Sequence, residues 1–436
     1  NSNNPLTVTY NIGTTANNCP GQSVSVNIVV NPSPVVQFSM PDQTVCSGFT
    51  TQSVNLSSPT AGAVISWISN SPNAITGALP SGGNTIPAQI LFNSSNIPLQ
   101  VQYNASVNFS NCPGTANAYI VTVNPTPYII NSDTVQTVCS NDSSAVINLT
   151  ADVTGTIFTW SASAGANLSG FLPAGTNNNI PSQSIINNSN VSDTVKYTVV
   201  PSASGCFGPP QIFKIAVNPR PVISLTPDSQ AICTKTTSSA IVISSNIATT
   251  TFAWTSTSYL VSGAQLSGTG NLIPPQGLQN TSPIADTGYV SYLVTPTANG
   301  CPGQDLSAFI QVNPTPVVNF AMSTASGCSP LYVSFATNTL AFGNPDSLIF
   351  NWGDGTTNTV LHPNPIQPVW STITHTFSNS TFTAVTYTIS LTASNECGDT
   401  TVTQTVTVQP NNVDAFFTPS ANSGCEPLTI SFYDYS

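Results

Sequence analysis

Charge is the scarcest commodity in this sequence. Of 436 residues only 4% are Asp, Glu, Lys or Arg, against roughly 25% in ordinary soluble domains. Four basic residues stand against fifteen acidic ones, for a net charge of -11. No cationic surface is available to displace phosphate counterions, which excludes nucleic acid as a partner. An anionic membrane surface is disfavoured for the same reason. Long apolar runs are also missing, and none approaches the ~20 residues of a membrane span. No long stretch has helical periodicity. There are only two histidines and no CxxC pair, which argues against a zinc site.

Low charge alone would suit a disordered chain, but disorder also demands few aromatic and β-branched residues. Val, Ile, Thr, Phe and Tyr abound here, and 39% of the residues are hydrophobic, enough for packed cores. The exterior must then be made of Ser, Thr, Asn and Gln. Such a surface is neutral and hydrated, and it offers trypsin-like proteases few cleavage sites. The length suits three or four domains at ~100–200 residues each. No signal peptide pattern stands at Asn1. The chain opens inside one strand pattern and stops at "SFYDYS" inside another. We therefore expect part of a longer mature protein, with any export signal, anchor or tip domain elsewhere.

What the sequence does have is a ruler. An Asn-Pro-x-Pro joint recurs with its Asn at 31, 124, 218 and 313, in steps of 93, 94 and 95 residues, and a degenerate "VQPNN" follows at 408. Trp67, Trp160, Trp254 and Trp352 keep the same step, as do Tyr10, Tyr103, Tyr197, Tyr292 and Tyr387. A fixed period of this kind marks a tandem array. The spacing predicts the end of one repeat over 1–31, whole repeats over 32–124, 125–218, 219–313 and 314–409, and the start of another over 410–436. Within a repeat, "TVKYTVV" (194–200) and "TYTISLTAS" (386–394) alternate apolar and polar residues with period two, the mark of half-buried antiparallel strands. About seven short strands in ~95 residues, with one buried Trp in the third, predict an immunoglobulin-like β-sandwich. The fold class is therefore all-β, a tandem array of such sandwiches. Two prolines per joint fix two φ angles, so the expected linkers are stiff and the expected array is an extended rod. Strands of ~8–10 residues would make each repeat roughly 30–40 Å long.

"NWGDGT" (351–356), followed by "THTF" (374–377) and "TYTISLTASNECGDTTVTQTVTV", resembles the PKD (polycystic kidney disease) domain, although the residue pair usual between Trp and Gly-Asp-Gly is missing. The other repeats, with "QTVCSG" (43–48), "FTWSASAG" (158–165) and "VTPTANGCPGQ" (294–304), resemble the PKD-like repeats of Bacteroidetes surface proteins. The mixture is most similar to the repeat regions of gliding-motility adhesins. That resemblance implies type IX secretion, display on the outer surface of an outer-membrane-attached protein, and a role in gliding motility and surface attachment. The implied partners are neighbouring repeats of the same chain, the surface motility machinery, and polysaccharide or substratum met through a tip outside this stretch. No cofactor is implied.

Ten cysteines in an apparently extracellular chain favour disulfides. Each repeat carries two, one before its second strand and one between its last two: Cys46/Cys112, Cys139/Cys206, Cys233/Cys301 and Cys328/Cys397, with Cys19 and Cys425 in the partial repeats. Three pairings are open. Pairing within a repeat is the simplest, and leaves Cys19 and Cys425 unmatched. Sandwich topology weighs against it, because the two loops lie at opposite ends and a bridge allows a Cα separation of only ~4.4–6.8 Å. Pairing between successive repeats joins Cys46 to Cys206, Cys139 to Cys301 and Cys233 to Cys397, and leaves Cys19, Cys112, Cys328 and Cys425 to partners outside the stretch or within their repeats. Pairing across the linker, as in Cys19–Cys46 and Cys112–Cys139, has a constant spacing of 27 residues but requires the linker to fold back.

"FNWGDGTTNTV" (350–360) is the one stretch that resembles chemistry, with Asp354 between two glycines and His362 and His375 downstream. A hydrolase needs a second carboxylate or an activated nucleophile. The matching stretches elsewhere, "SWISNS", "TWSASAG" and "AWTSTS", have no acid. The expectation is a tight turn in which the glycines supply positive φ and Asp354 caps its own loop, with His375 packed as a structural residue. No catalytic residue is assigned and no enzyme is expected. Asp42, Asp133 and Asp228 recur before the first cysteine of their repeats and are candidate calcium ligands, though a calcium site wants six to eight oxygens. Asp-Ser/Thr-apolar triplets at 133–135, 193–195 and 346–348 match a Bacteroidetes O-glycosylation pattern. The recurring Trp and Tyr are expected in the core rather than on a sugar-stacking surface. Edge strands cannot be protected by lysine here, so lateral self-association is open. The function expected is a structural stalk, with PKD-type accessory binding modules of a secreted polysaccharide- or protein-degrading enzyme as the alternative.

Overall fold

A computed structural model describes residues 2–336, 347–361, 373–411 and 415–435. His362 and Asp346, the latter part of one glycosylation triplet, lie outside the described residues. The chain forms two compact units, Asn1–Pro219 and Arg220–Ser436.

The first unit opens with a hairpin of β1 (Leu6–Ile12) and β2 (Val24–Val30), antiparallel with Leu6 opposite Val30. A complete sandwich follows. Its larger sheet contains β3 (Gln43–Cys46), β4 (Val64–Asn70), β5 (Ser81–Gly82), β6 (Leu99–Phe109) and β7 (Asn117–Asn124) in the order β5-β4-β6-β7-β3. The strands are antiparallel except that β3 runs parallel to β7. A smaller sheet of 85–86, 54–57 and 37–38 covers it. The next sandwich repeats this order with β8 (Val135–Cys139), β9 (Ile157–Ser163), β10 (Ala174–Gly175), β11 (Asp193–Ala203) and β12 (Gln211–Asn218).

The second unit builds the same sheet from β13 (Ser229–Cys233), β14 (Thr251–Tyr259), β15 (Ser267–Thr269), β16 (Gly288–Ala298) and β17 (Leu306–Asn313). It does so again from β18 (Ser326–Cys328), β19 (Ser347–Asn351), β20 (Thr357–Leu361), β22 (Val385–Asn395) and β23 (Gly398–Gln409), with β21 (Ile373–Phe377) in the covering sheet. Hereafter β3, β8, β13 and β18 are the leading strands, and β7, β12, β17 and β23 the closing strands.

Alternation decides which side chains go in. In β11, Val195, Tyr197 and Val199 are fully buried while Lys196 faces out, as period-two side-chain placement requires. Each sandwich has its own hydrophobic core. Trp67, Trp160, Trp254 and Trp352 are all buried there. The first three meet Tyr103, Tyr197 and Tyr292 edge-on at centroid distances of 5.3, 5.6 and 5.8 Å, a favoured aromatic geometry. Gly82, Gly175 and Gly268 sit opposite these indoles on the neighbouring strand. A Cβ at any of them would overlap the indole ring. The missing side chain therefore lets each Trp lie against backbone. In the complete sandwiches, among the described residues, the edge strands are short, two to five residues, which limits edge-to-edge pairing without lysine.

Candidate functional site

The turn from β19 to β20 contains the acidic loop. Gly353 and Gly355 have φ of 82° and 92°, a region that costs residues with a Cβ. Asp354 Oδ1 accepts the amide of Thr356 at 2.9 Å and its hydroxyl at 2.6 Å. His375 Nε2 donates to Asp354 Oδ2 at 2.7 Å. The imidazole lies on the Trp352 indole at 4.7 Å and 4°, and Trp352 stacks on Phe350 at 4.9 Å and 9°. Partial burial works against the Asp354 carboxylate, but the hydrogen bonds from Thr356 and His375 outweigh it and hold its pKa below the ordinary carboxylate value. Both oxygens of Asp354 are thus engaged. Among the described residues no third His, Cys, Asp or Glu joins the pair into a metal-binding group. The arrangement ties β19, β21 and the turn together, and three of the carboxylate's roughly four lone-pair sites are engaged.

Each candidate calcium ligand stands at or just before the start of its own leading strand. Asp42 Oδ1 accepts the amide of Ile120 at 2.8 Å, and Asp228 Oδ1 accepts the Ser229 hydroxyl at 3.3 Å. Asp133 lines an open groove beside β8. Among the described residues none of them belongs to a group of three or more His, Cys, Asp or Glu that could hold a metal ion.

The cysteines make the more distinctive site. In the first unit Cys46, last residue of β3, is bonded to Cys206, with Cα atoms 5.6 Å apart. In the second, Cys233 ends β13 and is bonded to Cys397, with Cα atoms 5.1 Å apart. The joint asparagines reinforce these bridges. Asn124 Nδ2 donates to the carbonyl oxygen of Ser204 at 3.1 Å, and Asn313 Nδ2 donates to Glu396 Oε1 at 2.7 Å. The linker is seated on its own sandwich as well. A Cβ at Gly114, Gly208 or Gly303 would overlap the carbonyl oxygen of Pro34, Pro127 or Pro221, so the Cys-x-Gly triplets keep the turn bare where the prolines press on it. Cys19, Cys112, Cys328 and Cys425 are free.

Beneath each leading-strand cysteine lies a polar plug that sequence reasoning missed. Asn93 is 7% exposed. Its Nδ2 donates to the carbonyl oxygens of Ile97 and Val123, both at 2.8 Å. Its Oδ1 accepts the amide and hydroxyl of Ser95, and its own amide donates to Ser47 Oγ at 2.9 Å. Asn187 repeats every bond with Val191, Val217, Ser189 and Ser140, and Asn379 with Thr383, Val408, Thr381 and Ser329. Asn280 holds Asp286, Val312, Ser282 and Thr234 in the same way. The available signal was an Asn-x-Ser/Thr triplet, together with a Ser or Thr directly after the cysteine, recurring at the repeat step.

Sandwiches of one topology, each closed by a parallel pair of leading and closing strands, define an all-β tandem array of immunoglobulin-like domains. A family model for the PKD-like domain matches residues 43–127, 136–221 and 230–316, each time from within the leading strand to the second proline of the next joint. The chain belongs to the PKD-like domain family. No curated protein matches it. Solved structures with some likeness include an I-band fragment of titin (9% identity, 65% of this chain and 99% of that one, TM-score 0.35). Others are the protocadherin gamma B4 extracellular domain (11%, 98% and 78%, 0.32) and an extracellular fragment of mouse cadherin-23 (13%, 65% and 98%, 0.31). PKD-like repeats are typically non-catalytic, and a tandem run of them fits a structural repeat region. The disulfides and PKD-like domains resemble those of extracellular proteins. No helix among the described residues is long and apolar enough to cross a membrane.

Proposed function

We propose that this chain is a stretch of a long cell-surface adhesin filament or stalk that serves gliding motility and surface attachment, anchored at the outer membrane of a Bacteroidetes cell and of the SprB kind. One observation carries the reading. The joints within each unit are fastened by a disulfide and an asparagine hydrogen bond as well as by the linker, which suits a part whose task is to bear load. The array holds a tip away from the cell, the tip meets polysaccharide or substratum, and the surface machinery moves the whole. The repeat rule extends the pairing to Cys139 and Cys301, and the sequence boundaries at 31, 124, 218, 313 and 409 describe its repeats. The test is deletion of one whole repeat, residues 125–218, from the native gene. Cells should keep the protein on their surface, with a filament shorter by roughly one 30–40 Å repeat in electron micrographs. A surface particle of unchanged length would end the stalk reading.

A second reading, accessory binding modules, is favoured by one feature. Tyr259, Tyr289 and Phe309 are 63%, 47% and 51% exposed, and Tyr259 lies directly opposite Tyr289 on the outer face of β14 and β16. If this face docks the modules onto an insoluble polysaccharide, the triple alanine variant loses sedimentation with that polymer. Equal sedimentation of variant and parent removes the reading.

A further inference from the structure

In every sandwich the leading-strand cysteine stands in register beside the end of the closing strand: Cys46 beside Asn124, Cys139 beside Asn218, Cys233 beside Asn313 and Cys328 beside Gln409. The pairing is parallel, so both strands leave the sandwich at the same end. The closing strand continues there into the linker, and the leading strand ends at its sulfur. In the first unit that sulfur is bonded to Cys206, just ahead of β12. In the second, Cys233 is bonded to Cys397, directly ahead of β23. A covalent path therefore runs down β3, across the first bridge into β12, along the backbone into β13, and across the second bridge into β23. Every stretch on it is a leading strand, a closing strand or a linker, except Ile223–Thr226, a short strand of the covering sheet. The bridged cysteines are 160 and 164 residues apart in sequence. Residues 47–205 and 234–396 hang from the path as closed loops, and they contain β4, β6, β9 and β11 in one case and β14, β16, β19 and β22 in the other.

We infer that the oxidised array does not lengthen under tension by unfolding its sandwiches. In an ordinary string of sandwiches the pull enters by the first strand and leaves by the last, so the whole domain lies in series with the load and adds its length when it opens. Here the sandwiches lie in parallel with a continuous path of covalent bonds. The asparagine plugs act at the same place. Asn93 holds Ser47, next to the bridged Cys46, and Val123 at the end of β7, so the two strands resist sliding past each other. Reduction would put every sandwich back in series, which makes the hidden length releasable only by a reductant. The inference takes its purpose from the stalk reading, but its mechanics follow from connectivity alone.

Single-molecule pulling on the 436-residue chain from its two ends tests this. The oxidised chain should reach detachment with no release from residues 47–205 or 234–396. After dithiothreitol the same chain should give repeat-sized releases of roughly 30 nm each, for ~95 residues at about 3.4 Å. C46S/C206S should regain at least one such release without reductant, and C112S, which alters a free cysteine, should pull like the parent. Releases of that size from the oxidised parent would overturn the inference. So would a trace that dithiothreitol leaves unchanged, since the bridges would not then be what withholds the length. Neither result bears on the stalk: a chain with no part in adhesion would still pull this way, and a stalk that lengthens when oxidised keeps its function.

Discussion

Asn93 Nδ2 donates to the carbonyl oxygen of Val123 at 2.8 Å, so a side chain ahead of β6 satisfies the backbone at the end of β7. Removing it strands the buried carbonyl of Val123, the partly buried carbonyl of Ile97 and the Ser95 amide. N93A should therefore cost roughly 2–3 kcal/mol, and N187A about the same. Guanidinium unfolding followed by tryptophan fluorescence measures it, with the signal of Trp67 or Trp160 assigned by replacing the other indoles with Phe. A loss within experimental error would mean that water replaces the plug.

The contact of Gly175 with Trp160 gives a second expectation. G175A places a methyl group inside the indole envelope and should destabilise its sandwich by about 1–3 kcal/mol. G155A, at a glycine with no neighbour within 4 Å but φ of 79°, should cost only about 1 kcal/mol. Thermal melts of the two variants should keep that order.

Non-reducing peptide mapping should return Cys46–Cys206 and Cys233–Cys397 peptides, and the proposed Cys139–Cys301 peptide beside them. A Cys139–Cys206 or Cys46–Cys112 peptide would replace the joint staple with a pairing inside the repeat.

Acid should loosen the last complete sandwich. The hydrogen bonds to Asp354 place its pKa below the ordinary value, so the folded state binds this proton less readily than the unfolded chain. The resulting stability is fully present above the unfolded carboxylate value of about 3.9 and is lost as pH falls through the lower folded value. D354N should remove that part of the acid dependence. It should also weaken the sandwich by about 1 kcal/mol at neutral pH, because charge-assisted bonds become neutral ones. Melting temperatures from pH 7 down to pH 2 measure both effects.

Much of the fold was legible in the residues. Period-two alternation in "TVKYTVV" names the buried side of β11, because a strand turns successive side chains to opposite faces and no distant residue enters the rule. The Asp354 loop was legible in part. Two glycines around an acid mark the turn, but the partnership with His375 across 21 residues depends on β21 lying beside that turn. Asn93 was legible only as a recurring triplet, and its role was not. Its triplet reads as exposed and polar, and only the closing strand's arrival supplies the carbonyl that makes burial favourable.

The sequence by itself determined the repeat step, the all-β class and the Trp and Tyr positions of the first three complete cores, because these follow from local alternation repeated along one chain; Tyr10, on the same step, is 54% exposed. Tertiary structure alone decided which sulfurs meet and which asparagine carries a joint. Such pairs lie 80 to 164 residues apart, and their encounter is set by the end of the sandwich at which two parallel strands stop.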